Sequence, residues 1–432
     1  MDTVALTSQD GSHQAPPRGA SGMTIVVLND FCYVQGGGSR VAIDEAIGLA
    51  EAGANVIFIG AVGPPCEELL QAPLTVECLD QGELREVGKR PSVALQGLWN
   101  GEAGRRTREI LRSLSPERTI VHLHGYTKAL TTAPIRVASK LGFPIICTLH
   151  DFFVACPNGA FFDYRENRPC PRRAMSVSCV VARCDKRRHT HKLYRVVRAW
   201  LQKRRGRFPG AIHHFISLSQ RSGVLLTPYL PRDARLYPLA NAVIVPQNSS
   251  VHAAENRTLL YVGRLDREKG ALLLAEVAHK LGRPATFVGD GPLRAEIEAI
   301  PGMTVTGWLS RGDVQRHLDT ARCLVFPSLW YETFGLTVAE AAARGVPAIV
   351  SDITAAAERI VDGVTGWQFH SGDPGDLARC LERIDDDILV AKVGAACYRA
   401  FWTSARNAPQ HIDDLAQIYQ TVLRTEFPSA AN

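Results

Sequence analysis

No apolar run in the 432 residues is long enough to span a bilayer, and no basic segment followed by an apolar one opens the chain. Neither a membrane span nor a secretory leader is therefore expected. The eleven cysteines are odd in number and spread through a long chain, which argues against an extracellular disulfide framework and for a reducing cytoplasm. The G-x-G-x-x-G fingerprint is missing, and no acid closes the second strand candidate, which disfavours a dinucleotide-dependent oxidoreductase. A strong charge of one sign is lacking too. The 49 Lys and Arg against 43 Asp and Glu leave +6, too little at this length to imply nucleic-acid binding.

What is present is an ordinary globular composition, 46% apolar and 21% charged, in a chain long enough for two domains. Residues 1–22 are polar and Gly/Pro-rich and read as a disordered tail. Short apolar runs then alternate with helical stretches. Strands are predicted at 25–28, 55–60, 119–123, 144–149 and 215–218, and again at 259–262, 285–288, 304–306, 323–326 and 348–350. Near-continuous apolar strands separated by helices indicate parallel sheets covered on both faces, and hence an α/β chain. The expected organisation is a first Rossmann-like, doubly wound domain over 23–240, carrying a Cys-rich and basic insertion at 151–210. A second follows over 241–390, then C-terminal helices over 391–432. Ligands of such sheets bind beyond the carboxyl ends of the strands, so chemistry is expected on residues just after them.

The sharpest pattern is CLVFPSLWYETFGLTVAEAAARGVPAIVSD from 323. A strand ends near Pro327, and a helix is expected from about Phe334 to Arg344, stopped by Gly345. Glu332 precedes that helix, and Glu340 lies eight residues further on, roughly 12 Å along its axis. That separation resembles the distance from sugar to ribose in a nucleotide sugar, and the unpaired amides between suit a pyrophosphate. Two solvated glutamates on a helix face is the plain alternative. Upstream, YVGRLDREKG sets Arg264 and Lys269 after a strand, two cations able to neutralise a diphosphate leaving group. Gly289 and its partner Gly291 form a turn at the next strand end, where backbone can approach a ligand.

In the first half, Gly36–Gly38 precede a helix with Val41, Ala42, Ala46 and Leu49 at helical spacing. His124 ends a strand and faces the expected cleft, while His122, one step deeper, is read as a satisfied core residue. His150 is a second cleft candidate, with Asp151 beside it.

The segments GRLDREKG, VGDGPLR, VTGW, FPSLWYETFGLTVAEAAARGVPAIVSD and ERIVDGVTGW, in this order, resemble retaining glycosyltransferase family 4. The resemblance is specific over about 257–385 and weaker before it. It implies the GT-B fold, two Rossmann-like domains facing across a cleft. It further implies that Arg264 and Lys269 hold the donor diphosphate and that Glu332 binds the donor sugar. The backbone of Phe334, Gly335 and Leu336 would take the phosphate, Glu340 the ribose, and Thr306 and Gly307 the nucleobase. Gly37 and Gly38 match the family's N-terminal glycine loop near donor and acceptor, and His124 its cleft histidine. One departure is visible: Thr354-Ala355 replaces the usual glycine pair before Glu358.

The implied activity is a hexosyltransferase-type enzyme that retains anomeric configuration. It would move sugar from a nucleotide-diphosphate donor to a glycan or lipid-linked hydroxyl in polysaccharide or lipopolysaccharide synthesis, with no cofactor required for catalysis. A catalytically silent sugar-nucleotide-binding protein is the alternative, opposed by intact Arg264, Lys269 and Glu332.

Cys156, Cys170, Cys179 and Cys184 fall within thirty residues and offer a structural zinc site, although no C-x-x-C pair is present. From Lys186 to Arg207 the chain has ten Lys or Arg and no acid, with Leu193, Val196, Val197, Trp200 and Leu201 at helical spacing. Such a helix suits an anionic membrane surface, at the inner face of the plasma membrane, or packs its apolar side on the sheet. No zinc-finger spacing supports a nucleic-acid module.

Overall fold

The computed structural model describes residues 20–82, 91–404 and 407–428. The expected disordered tail lies outside the described residues up to position 19. Its last three residues form a turn in which Ala20 is buried.

The first sheet has seven parallel strands: β1 (Thr24–Phe31), β2 (Asn55–Val62), β3 (Thr75–Cys78), β4 (Thr119–Leu123), β5 (Ile145–Thr148), β8 (His214–Ser217) and β9 (Arg235–Pro238). A two-stranded antiparallel hairpin, β6 (Phe162–Asp163) and β7 (Arg168–Pro169), lies in the chain between β5 and β8. The order β3-β2-β1-β4-β5-β8-β9 puts β1 at the point where the winding reverses. The second sheet contains β10 (Thr258–Val262), β11 (Ala285–Val288), β12 (Met303–Gly307), β13 (Ala321–Phe326), β14 (Ala348–Ser351) and β15 (Trp367–Phe369) in the order β12-β11-β10-β13-β14-β15, again all parallel.

Both faces of each sheet are buried, as the unbroken apolar strands require. Ile25 and Val27 enter one core of the first sheet and Val26 and Leu28 the other; Leu259 and Leu260 divide the same way in the second. Sequence patterning missed β3, β9, β15 and the hairpin. The first two are half-exposed edge strands, and all are too short for an alternating pattern to stand out.

At its end the chain crosses between the sheets. Helix Asp387–Ser404 packs on the second, with the Trp402 indole donating to the Ala343 carbonyl at 3.0 Å. Helix Ala408–Glu426 returns to the first, burying Ile412, Leu415, Tyr419 and Val422 in its core.

Gly270 links the turn carrying Lys269 to helix Ala271–Lys280 at φ 69°, and a Cβ there would lie 1.9 Å from the Pro327 carbonyl oxygen. Gly270→Ala is therefore expected to destabilise the protein by about 2–4 kcal/mol. Urea unfolding would measure this, and an unchanged midpoint would show that the Pro327 loop yields freely.

Candidate active site

The carboxyl ends of the two sheets face each other. Loops after β1, β5 and β8 meet loops after β13 and β14. Gly37 abuts Leu336, so that a Cβ on the glycine would touch the leucine side chain at 3.4 Å. The Thr333 hydroxyl donates to the His150 carbonyl at 3.0 Å. Glu358 accepts the backbone N–H groups of Gln220 (3.1 Å) and Arg221 (2.5 Å). The Thr354-Ala355 departure thus leaves a formed 3-10 turn, Ala355–Arg359, whose glutamate reaches the other sheet.

In the second half, Glu332 is the hub. Its Oε1 accepts from the Lys269 ammonium (2.6 Å), the Ser328 hydroxyl (2.9 Å) and the Trp330 indole (2.8 Å). The ammonium also stands 5.1 Å over the Trp330 ring. Arg264 pairs with Asp266 at 2.8 Å, and Lys186 of the basic segment reaches the same carboxylate at 2.5 Å. Helix Leu336–Ala343 starts at Gly335, which is left-handed at φ 83°, and its first amides have no intrahelical acceptor. The Arg359 guanidinium donates to the Phe334 and Gly335 carbonyls and covers the Phe334 ring, fixing that corner. Desolvation raises the Glu340 carboxyl above its ordinary range, with Arg311 opposing. Gly289 bonds to Gly307 beside Thr306, joining the ends of β11 and β12; a Cβ on Gly289 would lie 2.0 Å from the Gly263 carbonyl.

In the first half, His124 does not open onto the cleft: its side chain is fully buried. Its Nδ1 hydrogen bonds with His150 Nε2 at 2.9 Å and its Nε2 with His122 Nδ1 at 3.1 Å. His150 is half-buried and lies against Gly38, making it the histidine nearest the glycine loop. His122 is satisfied, by Tyr419 and Thr148, each at 2.7 Å. Burial holds His122 and His124 well below the ordinary imidazole range and pulls His150 down to about 4.

Two features escaped sequence reading. Asp30 accepts the backbone N–H groups of Lys128, Ala129 and Leu130 at 2.8–2.9 Å, holding the loop beyond His124. Glu45 and His411, buried and paired at 2.9 Å, sit beside the histidine column. A signal existed for this pair, since each interrupts the apolar stripe of its helix.

Among the described residues, no three of the four thiols bring their sulfurs within 4.8 Å of one another, although Cys156 and Cys170 lie near Cys184. The fully buried Lys192 stands among them instead, its ammonium 3.6 Å from Cys179 Sγ with Cys184 and Cys156 nearby. The basic helix, His189–Arg204, is also turned opposite to a simple amphipathic reading. Lys192, Arg198 and Gln202 face inward, Arg198 donating to the Thr127 carbonyl at 2.6 Å, while Leu193, Val197 and Trp200 are exposed.

Comparison with known proteins matches residues 35–219 to the family described as Glycosyltransferase Family 4 and residues 256–387 to Glycosyl transferases group 1. Alpha-D-kanosaminyltransferase of Streptomyces kanamyceticus is 32% identical over 141 residues, 30% of this chain and 36% of the relative. An Escherichia coli UDP-Gal:alpha-D-GlcNAc-diphosphoundecaprenol alpha-1,3-galactosyltransferase is 27% identical over 173 residues, 37% of this chain and 44% of the relative. The chain thus matches less than half the length of these curated relatives. HepE of Anabaena, solved with UDP and glucose, shares the fold with a TM-score of 0.63 at 15% identity, covering 92% of this chain and 100% of that one.

With its pKa near 4, His150 is expected to stay neutral across about pH 5 to 8. Its ring resonances followed by NMR should titrate near pH 4; a midpoint near the ordinary 6.5 would show that desolvation does not govern it.

Proposed function

The chain belongs to glycosyltransferase family 4 and has the GT-B fold, and from that premise we propose that it moves a hexose-type sugar from a nucleotide-diphosphate donor to a glycan or lipid-linked hydroxyl, retaining anomeric configuration. The observation that carries the reading is the Lys269–Glu332 pair at the start of helix Leu336–Ala343. One cation there serves two needs. It would neutralise a diphosphate resting on the helix amides, and it fixes the carboxylate that would receive the donor sugar's hydroxyls.

In this reading Arg264, Lys269 and the amides of Gly335 and Leu336 bind the diphosphate. Glu340 takes the ribose hydroxyls, and the base lies near Thr306 and Gly307, where the Gly289–Gly307 bridge keeps the backbone low. Gly37 and Gly38 cover the phosphate from the other sheet, and His150 borders the acceptor side with His124 behind it. Glu332 Oε1 already accepts three hydrogen bonds, which suits it to orient a sugar rather than attack one. Substitution therefore proceeds on the front side: the departing phosphate oxygen takes the acceptor's proton while the fixed cations stabilise its developing charge. No metal is needed for that step.

If each cation makes a charge-assisted hydrogen bond of about 1.5–3 kcal/mol, removing both weakens diphosphate binding about 100-fold or more. Calorimetry of the Arg264→Ala, Lys269→Ala double variant with UDP, GDP and ADP tests this. Affinity equal to the parent's for every nucleotide rejects the site. Transfer assays with UDP-, GDP- and ADP-sugars then separate an active enzyme from a silent binder.

Attachment to an anionic membrane completes the reading and suits a lipid-linked acceptor. Among the described residues no helix is long and apolar enough to cross a membrane. Leu193, Val197 and Trp200 project outward from one helix at 44–52% exposure, and Val177 and Val181 project nearby in the chain. Arg187, Arg188, Lys203, Arg204 and Arg205 flank them, all exposed. Arg204 and Arg205 also line a cavity of about 610 Å³ with Arg105, Arg108, Arg136 and Lys140, a basic recess suited to a phosphate headgroup. The Leu193→Ser, Val197→Ser, Trp200→Ser variant should lose about tenfold or more in co-sedimentation with anionic vesicles. Equal recovery of the parent on neutral and anionic vesicles would reject this attachment.

A further inference from the structure

Below the cleft, three buried side chains converge from two elements. His122 and His124 come from the end of β4 and its following residue, and Glu45 from helix Gly37–Glu51. His122 Nδ1 lies 3.1 Å from His124 Nε2. Glu45 Oε2 lies 3.6 Å from His124 Nε2 and 4.0 Å from His122 Nδ1. That carboxylate oxygen is buried and has no hydrogen-bond partner. We propose that Glu45, His122 and His124 form a binding site for a divalent transition metal of the zinc class, distinct from the donor site and from the cysteines.

The geometry fits an ion of that size. A triangle with these three sides has a circumscribed radius of about 2.1 Å, which is the usual distance of zinc to imidazole nitrogen and carboxylate oxygen. Two imidazoles and one carboxylate suit zinc and its neighbours, whereas calcium and magnesium prefer all-oxygen sites. The outer contacts are those of a held ligand set. His122 Nε2 meets the Thr148 hydroxyl at 2.7 Å, His124 Nδ1 meets His150, and Glu45 Oε1 meets His411 Nε2 at 2.9 Å, so each side chain is oriented through its other polar atom. The Tyr419 hydroxyl, 2.7 Å from His122 Nδ1, is the nearest candidate for a fourth donor. A cavity of about 530 Å³, lined by Arg40, Asp44, Glu45 and His411 among others, lies on the outer side of this cluster.

An ion here would set proton positions up to the cleft. Metal on His124 Nε2 puts that ring's proton on Nδ1, which then donates to His150 Nε2; the proton of His150 is left on Nδ1, the atom near Gly38. Only this last consequence rests on the glycosyltransferase reading.

The test uses full-length, tag-free, metal-stripped protein without nucleotide, so its outcome is independent of donor binding. Calorimetry with Zn²⁺ should give one equivalent per chain. Co²⁺ should give visible bands of a nitrogen and oxygen site without a thiolate charge-transfer band. Glu45→Gln, near-isosteric and checked for folding by its melting curve, should weaken Zn²⁺ binding about 100-fold or more. Absence of saturable binding by the parent, a thiolate band, or unchanged affinity in a folded Glu45→Gln variant would each overturn the proposal. The Co²⁺ spectrum of the parent decides the matter even if the variant fails to fold.

Discussion

The ion pair between Lys269 and Glu332 ties together the loops that follow β10 and β13, the two central strands of the second sheet. Neither side chain is wholly withdrawn from water, at 18% and 11% exposure, so the pair keeps some hydration and escapes the full desolvation cost of a deep ion pair. The Ser328 and Trp330 donors stabilise the same oxygen further. The surrounding backbone is built to permit the contact. Gly270 passes against the Pro327 carbonyl, and the Leu329 amide donates to the Glu268 carbonyl at 2.9 Å. Strand order supplies the rest, because only adjacent parallel strands bring two carboxyl-terminal loops this close.

The same logic works on a larger scale between the sheets. Gly37 against Leu336, Thr333 on the His150 carbonyl and Glu358 on the Gln220 and Arg221 amides are all contacts between strand-end loops. Most involve backbone, so they depend on loop path more than on side-chain identity. Lys186 adds a charged strap from the basic segment to Asp266, the partner of Arg264. That strap couples the membrane-facing region proposed here to the cation proposed to hold the donor.

The C-terminal helix crosses back for reasons beyond apolar burial. Tyr419 and His411 bring polar atoms to the histidine column of β4, and a buried polar network tolerates few alternative registers. A helix shifted by one turn would cost Glu45 its His411 partner and His122 its Tyr419 partner.

The sequence by itself determined the class of fold and which residues stand at the proposed donor side. Unbroken apolar strands can be satisfied only by sheets covered on both faces, and the cation pair, the helix start and the two glutamates lie within short, local stretches whose order fixes their geometry. It also determined that a glycine loop would open the first sheet. What only tertiary structure decided are the properties that depend on residues far apart in the chain. His124 points into the protein because His150, His122 and Glu45 close around it. Cys156, Cys179 and Cys184 gather around the ammonium of Lys192. Helix His189–Arg204 turns Lys192 and Arg198 inward and Trp200 outward because partners at Cys179 and Thr127 outweigh the helix's own periodicity. Spacing along a chain governs local presentation, but the environment of a buried polar group is set by whichever distant elements arrive beside it.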